Sequence, residues 1–110
     1  MSVPGAGDQI LAAVLSWDGV THHPHRFGGV EFRLGRRELG HIHGDHLVDI
    51  PFPTRIRNEV VEAGLAQPHH ILHESGEVSF YLRQPADIDQ AVALLQRSYD
   101  LALRRGSPDG

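Results

Sequence analysis

Val30-Glu31-Phe32-Arg33-Leu34-Gly35-Arg36-Arg37-Glu38-Leu39-Gly40-His41-Ile42-His43-Gly44-Asp45-His46-Leu47-Val48-Asp49-Ile50 is the stretch that decides the fold. Val30, Phe32 and Leu34 alternate with Glu31 and Arg33, the period of a strand with one buried face. Gly35-Arg36 suits a two-residue hairpin turn, because glycine tolerates the backbone of the first central position. Glu38 to His43 runs back, Gly44-Asp45 makes a second such turn, and His46 to Ile50 is a third strand. In this register Phe32 faces Leu39, and Arg33 faces Glu38 as a favourable opposite-charge pair. Three consecutive antiparallel strands are the predicted centre of the molecule.

Outward from this centre, the N-terminal side predicts a helix from Asp8 to Trp17. Asp8 is its expected cap. Ile10, Val14 and Trp17 form its apolar stripe, widened by Leu11 and Leu15. Gly19 stops it, and the segment 20–29 reads as a polar connector. On the C-terminal side, Pro51-Phe52-Pro53 is a stiff corner. It serves as a rigid entrance to a second helix with Phe52 as a core plug, or as the wall of a ligand cleft. That helix spans about Thr54 to Ala63 and stops at Gly64. Leu65 to Gly76 is a connector with a short strand at Ile71-Leu72. Val78, Phe80 and Leu82 alternate in a last strand. Ala86 to Arg104 is the longest helix, with Ile88, Val92, Leu95, Tyr99 and Ala102 on one stripe. Asp87 and Asp89 near its start and Arg104-Arg105 at its end suit the helix dipole. The order α-β-β-β-α-β-α predicts an α+β two-layer fold, a mostly antiparallel sheet with helices on one face. One domain over 1–110 is expected, with its core at about 8–104 and a frayed tail at 106–110.

The 110 residues include no cysteine, so packing alone must hold the fold. A chain of this size buries roughly two thirds of its unfolded surface. No apolar run approaches the ~20 residues of a membrane span, and the N-terminus lacks a signal-peptide layout. The expectation is a cytoplasmic protein. All ten cations are arginine, scattered along a chain of net charge −4. That counts against a phosphate-backbone surface and hence against nucleic acid as a partner. No dinucleotide or P-loop fingerprint is present, so no nucleotide or flavin site is expected. Glu74-Ser75-Gly76 is only a fragment of a nucleophile elbow.

Nine histidines carry the chemistry. They fall in three clusters: His22, His23 and His25; His41, His43 and His46; His69, His70 and His73. His41 and His43 share a strand face. A two-residue turn at Gly44-Asp45 sets His46 opposite His43, so the three imidazoles share one face. Three histidines with an open fourth position are a zinc geometry, and zinc or another divalent metal is the cofactor such a trio would take. Asp45 or Asp49 would orient a ring. In the same register Val30, Phe32, Leu39, Val48 and Ile50 lie on this face. The competing reading therefore makes it the core face, with the histidines at its polar rim. His25, Arg26, His69 and His70 are candidate ligand-binding residues in connectors, where sites are usually built. The alternative there is plain solvation.

Pro24-His25-Arg26-Phe27-Gly28-Gly29-Val30-Glu31-Phe32, Glu38-Leu39-Gly40-His41-Ile42-His43-Gly44, Asp49-Ile50-Pro51-Phe52-Pro53, His69-His70 and Ser75-Gly76, in that order, resemble the small bacterial "luciferase domain" family, also catalogued as a domain of unknown function. The resemblance spans about residues 10 to 104. It implies an aromatic where this chain has Glu77, which alters one wall of any shared cleft. The family name does not imply light-emitting chemistry here. Flavin-dependent luciferases are barrels of ~250 residues, and hydrolase-like ones need the missing elbow. More distantly, the strand-then-helix ending around Ser98-Tyr99 is similar to double-wing proteins of the YjbR type, some proposed to bind DNA.

Three functions follow as expectations. The first is a small ligand- or metal-binding accessory domain using the face of His41, His43 and His46. The second is an enzyme with a histidine acid–base and Arg26 or Arg37 holding an anionic substrate. The third is a protein–protein or nucleic-acid module.

Overall fold

A computed structural model describes residues 2–71 and 76–105. The expected elements at His73, at Leu72, at Glu74-Ser75 and in the tail 106–110 lie outside the described residues. The chain is α+β, with three helices and a six-stranded antiparallel sheet. In chain order the elements are α1 (Ala6–Leu15), β1 (Val20–Pro24), β2 (Val30–Leu34), β3 (Arg37–His43), β4 (Leu47–Pro51), α2 (Thr54–Glu62), β5 (Gln67–Pro68), β6 (Glu77–Tyr81) and α3 (Ala86–Arg104). The strands lie in the order β1-β2-β3-β4-β6-β5.

The segment 20–29, expected as a connector, begins with β1, which pairs with β2 from Val20 opposite Leu34 to Pro24 opposite Val30. Thr21-His22-His23-Pro24 has no apolar alternation because this edge strand is half wet. The proline closes it, as proline is tolerated on an edge. The other addition, β5, is two residues at the opposite edge. Of the strand expected at Ile71-Leu72, Ile71 lies in a bend.

The two central hairpins carry the main correction. Arg33 faces Glu38 as expected, but Phe32 faces Gly40 rather than Leu39, because a bulge shifts the register between Phe32 and Arg33. The second turn also holds one residue more than expected: His43 faces Leu47, and Gly44, Asp45 and His46 all lie in the turn. Side chains alternate across a sheet, so each single-residue slip exchanges the faces. Phe32, Ile42, Val48, Ile50 and Val78 enter the core. Glu31, His41, Asp49 and Ser79, which pair in one row across four strands, lie on the other face. His41 and His43 are thus not on the core face.

The core joins Ile10 and Val14 of α1, Ile56 and Val60 of α2, and Leu95 and Tyr99 of α3 to the apolar sheet face. Phe52 at the proline corner is 5 % exposed and belongs to this cluster. Tyr99 leans on Trp17, with ring centroids 5.3 Å apart, and its hydroxyl donates to Asp18 O at 2.7 Å. α1 starts two residues before Asp8, and its cap comes from elsewhere. Asp45, in the β3–β4 turn, accepts the Gly7 amide at 2.8 Å and the Gly5 amide at 3.2 Å. Gly7 is required there: a Cβ would stand 2.7 Å from Gly44 O. Among the described residues no helix is long and apolar enough to cross a membrane.

Candidate metal centre

The row Glu31–His41–Asp49–Ser79 is polar, yet it is not left to water. Asp49 is 0 % exposed and His41 5 %. Two connectors cover it. After β1, the His25 amide donates to Gly29 O at 2.9 Å, closing a short 3₁₀ turn over Arg26–Gly28. This sets the His25 ring on that of His41, stacked with centroids 3.9 Å apart. From the other side, β5 delivers His69 and His70, whose rings stack at 4.3 Å. The His70 amide donates to Ser79 Oγ at 3.2 Å, which fixes that segment to β6.

Members of two histidine clusters therefore meet at one carboxylate, and His25 of the third stacks on His41. His41 Nε2 and His43 Nε2 each stand 3.2 Å from Asp49 Oδ2, His70 Nε2 3.4 Å and His69 Nε2 3.6 Å. Two groups have donor atoms all within 4.8 Å of one another: His41, His43 and Asp49, and Asp49, His69 and His70. His46 is exposed in its turn and is not among these residues. Arg26 is exposed as well. His25 reaches the centre by its ring faces only, its Nδ1 donating to Glu31 Oε1 at 3.0 Å. Asp45 serves α1 and not the centre.

A family model described as "Luciferase domain" matches residues 36–98, more than half of the chain. The chain belongs to the luciferase domain family. No curated protein and no solved structure gives a significant match. The luciferase-domain match encloses Glu38, His41, His43, Asp49, His69, His70, Glu77 and Ser79. It leaves out the His25 connector.

Proton positions in this luciferase-domain centre follow from the partners. An ionised carboxylate only accepts, so His41 Nδ1, 2.6 Å from Glu38 Oε2, carries the proton of that bond. In the charged ring Nε2 carries a proton as well and donates it to Asp49 Oδ2 at 3.2 Å. Burial works against charge on His41, but hydrogen bonds to Asp49 and Glu38 outweigh it and hold its pKa up at about 9. Burial would also raise Asp49. The His41 and Ser79 hydrogen bonds and the surrounding imidazoles instead keep its carboxyl well below the usual range. His43 is the reverse: burial, then the neighbouring His41 charge, push it down and favour a neutral ring. The Ile71 amide donates to His69 Nδ1 at 3.2 Å. Neutral His69 therefore carries its proton on Nε2, which faces Glu77 Oε1 at 3.3 Å.

Sequence reasoning singled out His41, His43, His69 and His70 and named Asp49 only as an orienting residue. It missed Glu38 as a partner of His41, because Glu38 reads as the cross-strand mate of Arg33. It missed Ser79 too, which nothing distinguishes from any serine on a strand. Glu77, noted as a departure from the family pattern, touches His69. Ser79 Oγ donates to Asp49 Oδ1 at 2.6 Å. Its proton is thus committed to a carboxylate, not to an imidazole that could activate it as a nucleophile.

Proposed function

We propose that this protein binds a transition-metal ion, zinc in the first place, through His41 Nε2, His43 Nε2 and Asp49. His69 and His70 form a second donor group around the same carboxylate, and Glu77 supports His69. The observation that carries this reading is the convergence of four imidazole nitrogens on the single oxygen Asp49 Oδ2. One carboxylate oxygen offers about two lone pairs, too few to accept from four rings.

The spacing supports the same reading. Tetrahedral zinc bonds of about 2.0–2.1 Å place neighbouring ligand atoms about 3.3 Å apart. The Nε2–Oδ2 separations of 3.2 Å for both His41 and His43 match that edge. Imidazole with one carboxylate favours zinc, copper, nickel or iron over magnesium or calcium. The Glu38–His41 bond is the carboxylate–histidine support that metal-ligating imidazoles commonly have.

The test is metal titration of chelator-stripped protein by calorimetry, with thermal unfolding read in parallel. The expected result is one zinc per chain, and stabilisation of about 2.7 kcal/mol when free zinc is 100 times Kd. His43→Ala should abolish both. Protein that neither retains zinc nor changes its unfolding temperature with zinc would refute the reading.

A further inference from the structure

Glu38 lines a second feature besides meeting His41. A cavity of about 400 Å³ lies between the start of β3, the proline corner and the C-terminal turns of α3. Its volume falls in the range of small-molecule sites, about 300–1,000 Å³. Pro51, Phe52 and Pro53 form one wall, and Leu101 and Ala102 another. Arg37 and Arg105 also line it. Both are exposed, and neither guanidinium has a hydrogen-bond or ion-pair partner among the described residues. We propose that this cavity binds a small organic carboxylate with an apolar body.

Each part of the ligand answers to a part of the lining. The prolines and Phe52 are held by the core and the chain direction, so the apolar wall is formed before any ligand arrives. Ser98 lines the cavity, but its hydroxyl donates to Leu39 O at 2.8 Å, which leaves polar recognition to the arginines. Two guanidiniums with unused forks match a carboxylate's paired oxygens. Among the described residues Glu38 is the one acidic group in the lining, and its Oε2 is engaged by His41 at 2.6 Å. An apolar wall with two cations fits neither a neutral hydrocarbon nor a bare anion as well as it fits one molecule carrying both features.

The experiment is an amide-resolved NMR titration of the full chain with hexanoate, hexanamide and inorganic phosphate, in chelator. The chelator makes the outcome independent of the metal site. The expected result is saturable hexanoate binding, with shifts centred on the amides of Arg37, Phe52, Ala102 and Arg105. Hexanamide and phosphate should bind at least about tenfold more weakly, the scale of a lost charge-assisted hydrogen bond. An R37Q/R105Q double variant, changed only at exposed positions, should keep its spectrum and lose at least about tenfold in hexanoate affinity. Four results would each overturn the proposal: no saturation, equal binding of hexanamide, equal binding of phosphate, or full affinity in the double variant.

Discussion

Ser79 Oγ donates to Asp49 Oδ1 at 2.6 Å, and both residues are fully buried. The bond occupies one carboxylate oxygen and turns the other, Oδ2, toward the imidazoles. Asp49→Asn removes the charge and puts an amide in its place. Zinc affinity should fall by more than about 100-fold, beyond the effect of losing an outer partner. In chelator the variant should lose about 3 kcal/mol of stability, because the charged His41 ring is left without its buried counter-ion. Calorimetry and urea unfolding measure the two losses. Unchanged zinc affinity would remove Asp49 from the ligand set.

Glu38 acts on the centre through His41. Glu38→Gln keeps an acceptor opposite Nδ1 but takes away the charge that makes the ring a better donor. Zinc affinity should drop by about 10- to 100-fold, with the fold intact in a far-ultraviolet spectrum. A competition titration against a chromophoric chelator reads this directly. No change would mean that Glu38 does not orient the ring.

Without metal, the Glu38–His41–Asp49 chain gives stability a definite dependence on pH. His41 has a pKa of about 9 in the fold against 6.5 for an ordinary histidine. Its raised value means that its contribution is complete below about pH 6.5 and is lost as pH rises through about 9. Asp49 is lowered from 3.8. Its contribution is present above about pH 4 and fades as pH falls toward its folded value. Chelated protein should therefore unfold at its highest temperature near about pH 6.5, at lower ones as His43 is forced to charge below that, and at progressively lower ones toward pH 9.5. A melting temperature that is level or rising over pH 6.5–9.5 would contradict the ion-paired state of His41.

Asp45→Ala separates the fold from the site. It deletes the carboxylate that caps the Gly5 and Gly7 amides of α1. The loss should be about 1 kcal/mol, or roughly 4–8 °C in melting temperature for a domain of this size. Zinc affinity should stay within a factor of about two, since a single good hydrogen bond to the centre would account for several-fold. A large loss of affinity would show that the β3–β4 turn takes part in the centre.

Much of this architecture is legible in the sequence where side-chain period and turn chemistry agree. The helix from Ala86 to Arg104 carries its stripe and its charge polarity in plain view, and the structure places it at the same residues. The proline corner and α2 follow from Pro53, Ile56, Val60 and Gly64. β1 was not legible, because Val20 to Pro24 lies at an edge and borrows its order from β2. The site was legible in its residue types but not in its sidedness. His41 and His43 belong together by spacing. Whether they face the core depends on a bulge at Leu39 and on one extra turn residue, and neither has a local signal as strong as glycine or proline. The meeting of His69 and His70 with Asp49 is set by a β5–β6 pairing of two residues, too short for any periodicity to announce.

The bulge opposite Phe32 and Arg33 gives the chain a property best described as parity. From β2 to β4, whether a side chain is oily or wet depends on whether the residues between it and the preceding strand are odd or even in number. Losing one residue at Leu39 would send Ile42 outward and drive His41 among Phe32 and Val48, although every amino acid of the centre would still be present. Losing or gaining two would leave each imidazole on its own side. Length changes in these hairpins are thus tolerable in pairs and ruinous singly. Relatives that keep all the histidines but differ by one residue here will have lost the centre.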